Sequence, residues 1–543
     1  MTRIGFFLFC LAFFSAVAAG CAKPRIEDLD AKLDDRIQRD LAKRKSLVQS
    51  NPAYLSLVSE LEAGREQLVN GESKNAFLTF DKILQNSRYT NYPEYSYAKY
   101  YLAVALDEMG VDYGALLYYV DIVQKEPLKI HTHESLRRAI SVARRVKDDE
   151  LILYLASSIT PDKVPLSLRE AFRFYISKDL YKKQNYDKAA GLLGGISHRN
   201  EMYPAAQYLL GTIAVQQNNL RQAITNFRSI SDNRSPVAYY EDLKIRQLAN
   251  LALGRIFYEQ KNYPLSIVYY KKVKRDGEFY PASLYESAWA LFKLNKFNEA
   301  LSVLHSLNSP FFEQVYFLKS LLLKGAIFIE LCLYEDAVRT LATVEGNFGE
   351  IKKQIDRFAS QTRSPQEYYP LLSSKILKPN GDQNYAYEEL FKLAAANRDF
   401  LGVHRYIERL KRERRTLESL KSPRADLLAK LISQKESDLV TQGSWLAGKK
   451  LVLTRKMIQD FGNAKDIVRY EIVSAERKIL QSRTRGLAPA VISGQDLIRP
   501  EFTESLKETL VWWDYSGEYW EDELGAYLYN LQSRCKTPEE SAR

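Results

Sequence analysis

The residues that could do chemistry in this 543-residue chain are few: five histidines, four cysteines and scattered pairs of carboxylates. His131 and His133 stand two positions apart at a predicted helix start, where surface residues are favoured over a metal site. The Gly-rich stretch GLLGGIS (residues 191–197) lacks the Lys-Ser/Thr pair of a phosphate-binding loop. The acidic pair Glu521 and Asp522 has no recognisable substrate-site context.

The sequence therefore predicts no catalytic residues, no metal site, no cofactor and no small-molecule substrate. The signatures of serine hydrolases, P-loop nucleotidases, zinc proteases and CxxC redox proteins are all absent from the sequence. One alternative stays open at this point. A carboxylate dyad could form only when the chain folds, because separation in space is invisible in sequence.

Cys21 has the most specific surroundings of the four cysteines. It follows Arg3, an apolar run from Ile4 to Val17 and three small residues. The run has about the length of a signal-peptide core and is short of the roughly 20 residues that a spanning helix needs. The pattern predicts an export signal over residues 1–20, with Cys21 either modified or incidental.

This beginning resembles the bacterial lipoprotein signal, in which small residues precede an obligatory cysteine, although Ala18 stands where the family usually has Leu. The resemblance implies that Cys21 becomes the acylated N-terminus, and two or three acyl chains anchor a protein far better than one. Ala22 follows the cysteine instead of Asp. In Gram-negative lipoproteins this implies the outer membrane, with the body facing the periplasm.

The composition is that of a folded, water-exposed body, with 46% hydrophobic and 27% charged residues. The net charge of +11 is spread along the chain, which favours a solvated surface, and nucleic-acid binding does not suit a lipid-anchored envelope protein. Cys332 stands among apolar residues on a predicted helix, which favours a buried thiol. A periplasmic location would also allow Cys332 to pair with Cys535, and this pairing stays open.

A two-helix pattern recurs along the chain, with one small residue in each helix, twelve positions apart. Small residues let two antiparallel helices approach closely. First-helix positions fall at 177, 211, 254, 288 and 325, in steps of 34, 43, 34 and 37 residues. The pairs are Ser177/Ala189, Gly211/Ala223, Gly254/Ser266, Ala288/Ala300 and Gly325/Ala337, with weaker copies at Gly64/Ala76 and Ala103/Ala115.

This pattern resembles the tetratricopeptide repeat, a helix–turn–helix unit of about 34 residues. The resemblance covers roughly residues 52–348, and an irregular all-α domain is the alternative. It implies an all-α fold, a right-handed superhelical solenoid of antiparallel helix pairs with a further C-terminal helical region. Large apolar residues stand where the family has them in the second helix, at Phe227, Tyr270 and Leu304.

The resemblance also implies a concave groove lined by first helices. Aromatic residues and Arg often anchor protein partners, although these tyrosines could instead pack between repeats. The groove candidates are Lys178, Tyr181, Tyr208, Arg255, Tyr258, Tyr285, Trp289 and Phe292.

The flanks complete a predicted organisation of five parts. A helical apolar face (Ile26, Leu29, Leu33, Ile37 and Leu41) predicts either a docked capping helix or a coiled-coil spacer. The charge run RLKRERRTLESL, residues 409–420, predicts a solvated helix face. The predicted parts are a signal peptide (1–20), a tether with an N-terminal helix (21–50), the solenoid (51–349), a linker (350–384) and a C-terminal helical region with an aromatic cap (385–543).

The chain ends in an aromatic and acidic segment that includes Trp512, Trp513, Tyr519 and Trp520. It is similar to the ends of repeat-containing lipoproteins of delta-class bacteria, including components of gliding machinery. The segment either seals the last helices or forms a docking surface.

Together these features predict a non-enzymatic, lipid-anchored periplasmic scaffold that binds envelope proteins, in gliding motility or in secretion. An accessory lipoprotein of outer-membrane β-barrel assembly is the alternative, although that relative is much shorter. A cell-wall-active enzyme is a third hypothesis, for which the region after residue 385 would have to carry the active site.

Overall fold

The computed structural model describes residues 31–47, 51–126, 129–146, 148, 150–158, 164, 166–232, 240–312, 317–361, 364–376, 398–483, 498–500 and 519–535. These residues are almost entirely helical, so the predicted all-α fold is confirmed. They form two compact units, each made from two stretches of chain. The first unit takes its described residues from 1–179 and 405–439, and the second from 180–404 and 440–543.

The helices follow one another in pairs along both units. In chain order they are α1 (Ala31–Leu47), α2 (Pro52–Val69), α3 (Ser73–Gln85), α4 (Tyr95–Glu108), α5 (Asp112–Lys125), α6 (Thr132–Val146), α7 (Glu150–Ser158), α8 (Leu166–Lys182), α9 (Tyr186–Gly194), α10 (Tyr203–Gln216), α11 (Leu220–Ser231), α12 (Tyr240–Glu259), α13 (Tyr263–Lys271), α14 (Tyr280–Lys293), α15 (Phe297–Leu307), α16 (Phe317–Glu330), α17 (Tyr334–Gln361), α18 (Tyr368–Ile376), α19 (Arg398–Glu418) and α20 (Pro423–Arg483). Two short strands, β1 (Ile498–Pro500) and β2 (Tyr527–Tyr529), pair antiparallel.

Small residues in the first helix of a pair let an aromatic ring of the second helix lie against the backbone. A Cβ atom at Gly211 on α10 would lie 2.6 Å from the ring of Phe227 on α11. In the first unit a Cβ at Gly64 would lie 2.7 Å from the ring of Phe80. In both pairs the aromatic residue follows the glycine by 16 positions. The predicted close approach of the two helices is therefore present.

The pair α12–α13 repeats this geometry and adds a hydrogen bond. A Cβ at Gly254 would lie 2.5 Å from the Tyr270 ring, again 16 residues later. The buried Ser266 hydroxyl donates to the Gly254 carbonyl oxygen at 2.7 Å. Gly325 on α16 differs from the prediction, since a Cβ there would meet nothing within 4 Å. The residue 16 positions later is Leu341, which has no ring to fill this space.

The first helices that carry a predicted small residue end in the same left-handed turn, seven residues after that residue. At the end of α10 the Asn218 N–H donates to the Val215 carbonyl, and the Asn219 N–H donates to the Ala214 carbonyl. These two bonds satisfy carbonyls that a helix end leaves without partners. The turn residues with positive φ are Gly71, Gly110, Gln184, Asn218, Lys261, Asn295 and Cys332. Cys332 thus lies in a turn, and its predicted place on a helix was wrong.

Helix α1 docks on the first unit as a capping helix, the first of the two predicted alternatives. Leu33, Ile37 and Leu41 on one face are at most 6% exposed. On the polar side, the Arg65 Nε donates to Asp34 at 2.9 Å. Ile26 and Leu29, which belong to the same predicted face, lie outside the described residues.

The region beyond the repeats is more structured than predicted. Helix α17 continues through Gln361, because Ile351 and Ile355 on one face are buried, and α18 follows. The predicted linker (350–384) is therefore helical in much of its described part. The region from 385 onward was predicted to be helical throughout, whereas its described residues include β1 and β2.

The charge run on α19 was predicted to be solvated, and this was wrong at Glu413. Its side chain is buried in the first unit, where a carboxylate oxygen accepts the Tyr113 N–H at 2.9 Å. Tyr113 lies in the first turn of α5, where backbone N–H groups have no partner within the helix. Arg409 lies one turn before Glu413 and donates to Asp112 at 3.2 Å. Burial, with Asp112 nearby, raises the pKa of Glu413 to about 8.

We predict opposite effects of alanine at two glycines of neighbouring helices. Gly211→Ala should destabilise the protein by about 2 kcal/mol, because the added methyl group displaces the Phe227 ring. Gly191→Ala on α9 should stabilise it by about 0.5–1 kcal/mol, because nothing lies within 4 Å of its Cβ and alanine favours the helix. Urea unfolding of both variants tests this. Equal effects at the two positions would contradict the close-approach explanation.

We predict that Glu413 makes the stability of the first unit fall as the pH rises. The folded protein holds a proton on Glu413 up to about pH 8, whereas the unfolded chain releases it near pH 4.5. The free energy of unfolding of the wild type, relative to Glu413→Gln, should therefore fall between about pH 5 and pH 8. Denaturant unfolding across this range measures the difference. A difference that stays constant with pH would contradict the prediction.

Candidate protein-interaction surface

A row of aromatic residues and one arginine lies on the first helices of the second unit. We call it the first-helix face, and all its side chains are half-buried except that of Arg255, which is exposed. Its positions are on α8, α10, α12 and α14, which the small-residue pairs hold against their partner helices. The face comprises Tyr181, Tyr208, Arg255, Tyr258, Tyr285, Trp289 and Phe292.

The face is polar around Arg255. The Arg255 guanidinium donates to both carboxylate oxygens of Glu286 on the next first helix, with Nε–Oε2 at 2.8 Å and Nη2–Oε1 at 2.6 Å. This fork geometry fixes the direction of the guanidinium, although the side chain is 56% exposed. Burial raises the pKa of Tyr208, and the positive charge of Arg255 opposes this rise. The positive charge of Arg255 therefore acts on Tyr208.

Aromatic residues predominate in the face from Tyr258 on α12 to Phe292 on α14. Tyr258 packs its ring edge-on against Tyr263, with ring centroids 5.3 Å apart. Trp289 meets Phe292 edge-on at 5.9 Å. Tyr285, Trp289 and Phe292 also pack on the core cluster of α14–α17. Tyr285, Trp289 and Phe292 thus contact the core while part of each side chain stays exposed to solvent.

Not every predicted site residue joins this row. Lys178 is half-buried on α8 and belongs to the first unit, so it is described apart from the face. Cys21, Trp512 and Trp513 lie outside the described residues. Tyr519 stacks on the His305 ring at 4.9 Å, whereas Trp520 is 58% exposed.

A second surface, which the sequence did not predict, lies on α15. Residues 519–535, which we call the tail, run along this helix. The Asn298 side chain accepts the Leu531 N–H at 3.0 Å, and the Ser302 hydroxyl accepts the Tyr529 N–H at 2.9 Å. Asn298, Ser302 and Ser306, polar residues at steps of four along α15, were the available signal.

A disulfide joins the end of the tail to the turn between α16 and α17. Cys332 and Cys535 are bonded across 203 residues of chain, with their Cα atoms 5.2 Å apart. The Arg534 N–H donates to the Leu331 carbonyl at 2.9 Å, so that the tail is also paired beside the bond. The favoured prediction of a buried Cys332 thiol was wrong, because the left-handed turn presents this residue to the tail.

His131 and His133 were both predicted to be surface residues, and the structure differs at His131. His133 is exposed, but His131 is fully buried, with its Nε2 3.3 Å from a Glu126 carboxylate oxygen. Among the described residues, no group of three or more His, Cys, Asp or Glu could hold a metal ion. No helix in the described ranges combines the length and the apolar character needed to cross a membrane.

Comparison with known proteins identifies the repeat in part of the chain. The tetratricopeptide repeat family matches residues 176–238, which include Tyr181, Tyr208 and the Gly211–Phe227 pair. No curated protein matches the sequence.

Two solved structures illustrate the structural likeness. The apo form of the quorum sensor NprR from B. thuringiensis is 12% identical, with 75% of this chain and 99% of that chain covered and a TM-score of 0.25. The P58(IPK) TPR domain is 15% identical, with 68% and 99% covered and a TM-score of 0.17. At these TM-scores the likeness says nothing about partners. The chain thus carries tetratricopeptide repeat sequence at residues 176–238, within an all-α architecture of helix pairs.

Proposed function

We propose that the protein is a non-catalytic scaffold that binds protein partners through the first-helix face. The single observation that carries this proposal is the row of half-buried aromatic rings beside the fixed, exposed Arg255. Aromatic residues and arginine supply most of the binding energy in protein interfaces, and they do so best on a rigid support. The helix pairs give that support at α10 and α12, where the rings of Phe227 and Tyr270 on the second helices lie against the first helices.

The chemistry of the face indicates what kind of segment binds there. Tyr258, Tyr285 and Trp289 offer apolar ring surface to aliphatic or aromatic side chains, while Arg255 and Glu286 offer a donor and an acceptor side by side. Because Arg255 and Glu286 are already paired with each other, they contribute more to the orientation of a bound partner than to its affinity. The partner is therefore a protein segment with apolar anchors, held in register by polar contacts at its middle.

We propose further that acylated Cys21 anchors this scaffold to the periplasmic face of the outer membrane. The lipoprotein-like residues before Cys21 support the anchor, and the Cys332–Cys535 disulfide supports an oxidising compartment. Confinement to a membrane surface raises the effective concentration of the face near envelope partners. An envelope complex for gliding motility or secretion is the assembly that this arrangement suits.

We predict that two substitutions on the first-helix face weaken partner binding without unfolding the protein. The double variant Arg255→Ala/Tyr258→Ala should lower the recovery of crosslinked partner proteins at least about tenfold, because it removes both kinds of anchor. In-cell crosslinking followed by mass spectrometry measures the recovery. Arg221→Ala is the matched control, because Arg221 is an exposed arginine on the second helix α11. Equal recovery from the double variant and the wild type would contradict the proposal.

The same experiment on Cys21→Ala tests the anchor separately. We expect this variant to leave the outer-membrane fraction, because it lacks the acylated residue, while its first-helix face is unchanged. A variant that fractionates as the wild type does would refute the anchor and leave the binding face untouched.

A further inference from the structure

The tail is bound to α15 as an extended ligand is bound to a receptor. Asn298, Ser302 and Ser306 stand four residues apart, so that they form one stripe along the helix. Ser306 accepts the Gly525 N–H at 2.8 Å, and Asn298 both accepts from and donates to the backbone of Leu531. Side chains of α15 thus form hydrogen bonds with backbone N–H and C=O groups of the tail, and any extended chain has such groups.

One position of the bound segment must be glycine, and in the tail this is Gly525. Gly525 has φ +84°, in the left-handed region that disfavours other residues. A Cβ at this position would also collide with the Tyr280 hydroxyl of α14. The surface therefore selects a glycine at the point where the chain turns onto α15.

Two tyrosines at alternate positions supply the apolar contacts. Tyr527 is 2% exposed and Tyr529 is 6% exposed, and both rings pack against buried His305 of α15, at 4.7 and 5.9 Å. Lys324 of α16 lies over the Tyr529 ring at 5.8 Å. Side chains two apart on an extended chain point the same way, so one face of the tail enters the helix layer.

We propose that this stripe on α15 is a docking site for extended protein segments with the pattern Gly-x-Tyr-x-Tyr, and that the tail occupies it as a disulfide-fastened latch. The pattern is that of Gly525, Tyr527 and Tyr529 in the tail itself. While the Cys332–Cys535 bond is intact, the tail excludes such a segment. The polar stripe of this site lies on the second helix α15, although Tyr280 of α14 and Lys324 of α16 also contact the tail.

A dithiol reductant opens the latch. One thiolate of the reductant attacks a sulfur of the Cys332–Cys535 bond, and the other protein sulfur leaves as a thiolate that takes a proton. The second thiolate of the reductant then closes its own disulfide and releases the remaining cysteine. Two electrons pass from the dithiol to the protein disulfide, and the tail keeps only its non-covalent contacts.

Peptide binding to the full chain tests the docking site. The triple variant Tyr527→Ser/Tyr529→Ser/Cys535→Ser has the full-length chain, but its own tail binds α15 more weakly because it lacks both rings and the disulfide. The probe is a fluorescent peptide of residues 519–535 with serine in place of Cys535, followed by fluorescence anisotropy. We expect the triple variant to bind this peptide at least about tenfold more tightly than the oxidised wild type does.

A matched peptide carrying Gly525→Ala is the control. It should bind the triple variant at least about tenfold more weakly, because alanine strains the backbone and meets Tyr280. Equal binding of the two peptides, or no binding to a triple variant that keeps its helical circular dichroism, would overturn the docking site.

If the triple variant does not fold, amide hydrogen exchange of the wild type tests whether the disulfide holds the tail on α15. After reduction with dithiothreitol, the Tyr529 and Leu531 amides should exchange at least about tenfold faster, while those of α10 should not change. Unchanged protection of the tail after complete reduction would overturn the latch.

Discussion

The close approach of a glycine backbone and an aromatic ring is the constraint on which the rest of this structure depends. Gly211 with Phe227 and Gly254 with Tyr270 show the same arrangement, in which the ring fills the space that a side chain would take. Because the ring follows its glycine by 16 residues, and a left-handed turn follows the glycine by seven, these pairs share one internal geometry. The pair that begins at Gly325 keeps the turn but has Leu341 in place of the ring. The loops between pairs can then vary in length without disturbing the surface that the first helices present.

This internal geometry separates two surfaces with different chemistry. First helices carry the half-buried aromatic row around Arg255, whereas the second helix α15 carries the polar stripe that binds the tail. The tail bond spans 203 residues, and closing so long a loop removes conformational freedom mainly from the unfolded chain. The disulfide therefore holds the tail on α15, and the face proposed for partners remains open to solvent at Arg255.

Much of the fold, and less of the site, could be predicted from the sequence. Local periodicity and small residues predicted the helix pairs, because pairing within a repeat depends on neighbours in the chain. Glu413 and Cys332 were misread, because their partners, Tyr113 and Cys535, lie 300 and 203 residues away. Arg255 was predicted to lie on the first-helix face from its position in the repeat family. The orientation of its guanidinium is fixed by Glu286, which no local pattern indicated.

Site-specific photo-crosslinking in cells tests the central claim most directly. A photoreactive amino acid at Tyr258 samples the first-helix face, and one at Val268, which is 49% exposed on the second helix α13, samples the opposite helix of the same pair. The account predicts discrete protein adducts from position 258 and none from position 268. Adducts from position 268 alone, or from neither position, would contradict a scaffold that binds its partners through first helices.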